Sequence, residues 1–90
     1  MKYSYSQITE IEKLITKLDY KLQELHSLKS DMEIISGSDE SVYKIEFYFR
    51  GDTHKFDVSS ITIIDFYNAK INNLTNEIES LEKRLQELVK

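Results

Sequence analysis

The residues Ile64, Tyr67, Ile71, Leu74, Ile78, Leu81, Leu85 and Leu88 follow one another at unbroken alternating intervals of three and four. At about 3.5 residues per turn such a series forms one straight apolar seam, the a/d pattern of a helix that lies along another helix. A chain carrying this segment needs a helical partner. One candidate stands upstream in the same chain, where Ile8, Ile11, Ile15, Leu18, Leu22 and Leu25 alternate in the same way and Met32 rejoins the series.

The ends of both segments are marked. Ser4 followed by Gln7 fits a capping box, and Tyr3 and Ile8 occupy the two positions of a hydrophobic staple, so the first helix is expected to start at Tyr5. Its end is expected at Ile35 or Ser36, with Gly37 as a left-handed terminal residue and residues 36–41 as a polar loop. The second helix is expected over residues 60–89, capped by Ser59 or Ser60. No proline occurs to interrupt either one. Each would be roughly 40 Å long over about 27 residues at the helical rise.

Between the helices the period drops from seven to two. Tyr43, Ile45, Phe47 and Phe49 alternate with Lys44, Glu46, Tyr48 and Arg50, and His54, Phe56 and Val58 alternate with Thr53, Lys55 and Asp57. Two half-buried strands over residues 42–58 follow, with Gly51 and Asp52 as the expected two-residue turn. That turn pairs Phe47 with Phe56 and Ile45 with Val58 on one face, and sets Lys55 opposite Tyr48 on the other. The fold class expected is α+β, mainly α: a single domain over 1–90, built as helix, β-hairpin, helix. The helices form an antiparallel coiled coil with the hairpin at their connected end.

Such a small chain has a core worth only ~3–5 kcal/mol and needs reinforcement. With no cysteine, a disulfide and a thiolate zinc site are both excluded, which leaves self-association. A two-stranded hairpin is marginal alone, and Ile34, Ile35, Ile61 and Ile63 cover only part of its seven-residue apolar face. Helix one also adds Leu14 and Leu28 one step before its seam, with Tyr20 nearby, whereas the matching positions of helix two are Lys70, Glu77 and Arg84. The oligomer-interface candidates are therefore Leu14, Tyr20, Leu28, Phe47, Phe49, His54 and Phe56, in a dimer first and a tetramer next. Removing Phe47 or Phe56 is expected to cost on the order of 3–5 kcal/mol. The outline resembles a prefoldin subunit, an antiparallel coiled coil with a β-hairpin at its joined end, and that resemblance implies assembly through the hairpins.

Chemistry is sparse. His26 and His54 stand far apart in sequence, without a neighbouring His or Cys at metal-ligand spacing, and His54 reads as a packed or interface residue. Carboxylates lie mostly at solvent-facing heptad positions, as in the Glu79/Lys83 pair. Two glycines cannot build a phosphate-cradling loop. Arg50-Gly51-Asp52, an integrin-type tripeptide, reads as turn chemistry, and Asn73-Leu74-Thr75 as a chance glycosylation match across a seam leucine. No catalytic residue, metal ligand or cofactor site is expected. The remaining candidate is the outward hairpin face, where Lys44, Tyr48, Arg50 and Lys55 could meet an acidic partner or a small anionic ligand.

The net charge of −4 is spread along both halves, so binding along a phosphate backbone is not expected. Residues 1–20 lack an apolar run, so neither a secretion signal nor a membrane anchor is read there, and the expected location is cytoplasmic. The expected function is that of a non-enzymatic homo-oligomer that binds and occludes or sequesters a partner. A composition rich in Lys, Ile, Asn, Ser and Tyr, without Pro, Cys or Trp, suggests a phage-borne inhibitor of a bacterial host or defence system, acting on a host protein in the host cytoplasm. The alternatives are a prefoldin-like structural or chaperone adaptor, and a subunit-shared pocket that sequesters a nucleotide-like ligand.

Overall fold

The computed structural model describes residues 2–90. Helix α1 runs Tyr5–Ser36, strand β1 Val42–Phe49, strand β2 Asp52–Ser59 and helix α2 Ser60–Val89. The capping box at Ser4 forms as the sequence predicts: its hydroxyl accepts from the Gln7 amide at 3.2 Å, and the Gln7 side chain accepts from the Ser4 amide at 2.9 Å. Of the two candidate caps for α2, Ser59 takes the role, accepting from the Thr62 amide at 3.2 Å. Gly37 departs from expectation. It ends α1 in the right-handed region, at φ −88°, donating to the Glu33 carbonyl while Ser38 donates to Ile35. A tightened last turn satisfies those carbonyls without the left-handed residue.

The two helices pack antiparallel along one seam, and its centre is Leu18, Leu74 and Ile78, flanked by Leu25, Leu28, Leu81 and Leu85. Here the structure corrects the reading of α1. Its buried and half-buried column is Ile11, Leu14, Leu18, Lys21, Leu25, Leu28, Met32 and Ile35, while Ile15 and Leu22 stay 52% and 50% exposed. Leu14 and Leu28 thus belong to the seam, and Ile15 and Leu22 lie outside it. Helix α1 carries three adjacent apolar columns where α2 can cover two, and the pair in use is the one whose flanking charges are opposite in sign to those of α2. The observed seam sets Glu10 against Arg84, with Nη2 to Oε1 at 2.7 Å, and Lys21 against Glu77 at 2.6 Å. Tyr67 donates to Asp31 on the same flank at 3.5 Å.

Lys21 occupies a seam position that heptad logic reserves for an apolar residue. Its ammonium donates to Glu77, which holds the Lys21 pKa above its ordinary value and draws the Glu77 carboxyl below the usual carboxylate range. A single polar residue in a seam gives up some stability and singles out one alignment of the helices. At the open end, the Tyr3 hydroxyl donates to the Val89 carbonyl at 3.0 Å, tying the start of α1 to the end of α2.

The result is one layer thick. Its extents are 58 × 34 × 14 Å, the thin dimension being about that of a single helix with its side chains. The radius of gyration is 18.6 Å, against about 12 Å for a compact chain of this length. Accessible area is 7254 Å², against about 5,500 Å² for a compact monomer of this mass. Only Leu18, Ile63, Ile71, Leu74 and Ile78 are buried among the described apolar residues. Among the described residues no helix is long and apolar enough to cross a membrane.

Candidate functional site: the projecting hairpin

Strands β1 and β2 pair antiparallel, with Tyr43 opposite Val58, Ile45 opposite Phe56, Phe47 opposite His54 and Phe49 opposite Asp52. The expected register is therefore corrected. Arg50 and Gly51, not Gly51 and Asp52, are the central residues of the turn, with φ of +53° and +83°. Positive φ at both positions is the type I′ pattern, whose twist matches the flanking strands, and glycine second is its usual form. The turn moves by one residue, so each partner shifts by two and every side chain keeps its face. Arg50 bears the strain of a left-handed backbone without being glycine. Arg50→Asn should relieve it and raise stability by about 0.5–1 kcal/mol, visible as a higher melting temperature.

The apolar face therefore exists as the sequence predicts, but one chain does not cover it. The hairpin approaches α2 and not α1, and the Ser60 amide donates to the Ser41 carbonyl where the strands leave the helices. Along β1 exposure rises toward the tip, from half-buried Tyr43 to Ile45 at 36%, Phe47 at 47% and Phe49 at 58%, whereas on β2 Val58 and His54 are half-buried and Phe56 is exposed. Of the four isoleucines expected to help, Ile63 is buried and Ile35 half-buried, while Ile34 and Ile61 are exposed. The ring of Phe47 stacks on both His54, at 5.2 Å between centroids, and Phe56, at 5.5 Å and 9° from parallel. The Arg50 guanidinium lies 5.4 Å from the centre of the Phe49 ring, adding a cation to the aromatic tip. Since about half of Phe47 and of Phe56 is already in water, truncating either costs this fold about 1–2 kcal/mol. The larger figure of about 3–5 kcal/mol applies where a second copy covers these rings.

The register also changes the outward face. Lys44 stands opposite Asp57, and Lys55 stands opposite Glu46 instead of Tyr48. Each lysine has a carboxylate as its cross-strand neighbour, so the charges of those four residues cancel. Tyr48 faces Thr53 and is largely exposed, its hydroxyl reaching over the turn toward Gly51. Lys44, Tyr48 and Lys55 share this face, whereas Arg50 leans to the aromatic side.

His26 lies exposed on α1, far along the chain from the hairpin, and no cluster of potential metal ligands forms among the described residues. Tyr20 is also exposed, beside a shallow surface depression lined by α1 residues alone, including Thr9, Lys13 and Thr16, and one helix cannot enclose a ligand. In the Asn73-Leu74-Thr75 match, Leu74 is buried and the Thr75 hydroxyl is engaged with the Ile71 carbonyl at 2.8 Å.

The sequence reading missed the exposed pair Ile15 and Leu22. The signal was present in the charges: the residues just before the observed seam, Glu10, Lys17 and Glu24, are opposite in sign to Arg84, Glu77 and Lys70 in antiparallel order. Compared with known proteins, the chain matches no family model, no curated protein and no solved structure, and the prefoldin-like outline stands on its element order alone.

Proposed function

We propose that this chain is a non-enzymatic, homo-oligomeric interaction protein whose helical layer builds the assembly and whose hairpin engages and occludes a partner protein. The observation that carries this reading is the uncovered aromatic tip, Phe47, Phe49 and Phe56 with the Arg50 guanidinium over Phe49. Aromatic residues and arginine dominate the energetics of protein interfaces, and an arm attached only at its base can enter a cleft. The partner that fits is a protein with an apolar cleft rimmed by carboxylates. A phage-borne inhibitor of a bacterial host or defence protein is the specific form of this reading, supported by the composition. The prefoldin-like adaptor is the second, supported by the hairpin at the joined end of an antiparallel helical pair.

The test is affinity capture from bacterial lysate with the native chain and with Phe49→Ala/Arg50→Ala, followed by mass spectrometry. A saturable partner that the native chain retains and the double variant loses supports the reading. Equal capture by both chains would count against the tip, and loss on Lys44→Ala/Lys55→Ala instead would return the site to the outward face.

A further inference from the structure

The helical layer has two flanks, and they differ in kind. On one, Glu10 pairs with Arg84 and Lys21 with Glu77, Lys17 adds its field at Glu77, and Glu24 and Lys70 line the same surface depression. Opposite charges face each other across the seam there, and the flank is complete within one chain. On the other, α1 presents Ile8, Ile15 and Leu22 at intervals of seven, and the matching α2 series runs Ile61, Asn68, Thr75, Glu82 and Val89. Ile15, Leu22, Ile61 and Val89 are all well exposed. Aliphatic residues at seven-residue intervals beside an established seam are the pattern of a helix that packs on two sides.

We infer that this second flank of α1 is the surface on which another copy of the chain docks, layer upon layer, to make a four-helix bundle. Area supports a second copy as the occupant. The chain as a whole, hairpin included, exposes 7254 Å², about 1,750 Å² more than a compact monomer of its mass, and a stable dimer needs about 800 Å² from each partner. Spacing supports it as well. A two-fold axis passing between Ile15 and Leu22 sets Ile15 of one copy against Leu22 of the other, and Ile8 against the aliphatic stem of Lys29. The face is complementary to itself. This inference rests on the homo-oligomer part of the proposed function and leaves the hairpin tip free for the partner.

The experiment is sedimentation equilibrium at micromolar concentration on the native chain, Ile15→Glu/Leu22→Glu and Tyr20→Glu, with circular dichroism on each. The native chain and the Tyr20 variant should sediment as oligomers, and the flank variant as a folded 10.7 kDa species with association weakened about hundredfold or more. A native chain found only at 10.7 kDa overturns the proposal, as does a flank variant that remains oligomeric. Should the flank variant lose its helical signal, single cysteines decide, because the chain has none of its own. Oxidising a mixture of Ile15→Cys and Leu22→Cys chains should yield the mixed disulfide dimer, and its absence overturns the proposal. Partner capture is read separately: loss of self-association defeats this inference, whereas equal capture by hairpin-tip variants defeats only the partner reading.

Discussion

Leu74→Ala is expected to remove most of the stability of this chain. Leu74 is 5% exposed and sits in the buried cluster with Leu18 and Ile78, the place where α1 and α2 hold each other. Truncating a leucine at such a site costs about 2–5 kcal/mol, the lost transfer energy plus the cavity left behind. A core of this size supplies only ~3–5 kcal/mol in all. The variant should melt well over 10 °C below the native chain at the same protein concentration, because each kcal/mol is worth about 4–8 °C in a domain this small. Ile34→Ala, on an exposed residue near the end of α1, serves as the comparison and should shift stability by no more than about 0.5 kcal/mol. Equal melting of the two variants would mean that the seam is not the centre of the fold.

Phe47→Ala should separate the hairpin from the helices. Its ring is the middle of a three-ring stack, between His54 directly across the strands and Phe56 on the diagonal, and no other aromatic residue joins the two strands in this way. A two-stranded hairpin that loses its main cross-strand contact has little left to order it. Amide exchange in residues 42–59 should accelerate strongly, while the helical circular dichroism and the sedimenting mass stay as they were, at a total cost of about 1–2 kcal/mol. Partner capture should fall by about thirtyfold or more, the scale of a lost hot-spot residue. A cost of about 3–5 kcal/mol together with dissociation would instead place Phe47, Phe49, His54 and Phe56 in the subunit interface, as the sequence alone suggested.

Periodicity made the elements legible. Spacings of three and four over Ile64 to Leu88, and of two over Tyr43 to Phe49, are properties of a local backbone that side chains along one segment report directly. The caps at Ser4 and Ser59 are equally local, each a hydroxyl accepting from an amide three residues on. The candidate site was legible in part for the same reason. Which hairpin residues share a face depends on alternation, and alternation survives a turn displaced by one residue.

Helix order, the strand pair and the two faces of the hairpin are thus set by the sequence itself. Which two of three apolar columns on α1 meet α2 was decided only in the tertiary structure, because a helix wheel ranks the columns of one helix, and the charges of Glu10 and Lys21 select a seam only once Arg84 and Glu77 of the other helix stand against them. The strand register was decided there too, between two turns of similar composition, and with it the neighbours of Lys44 and Lys55. Pairing is a property of two segments at once, and its energy appears only when both are in place.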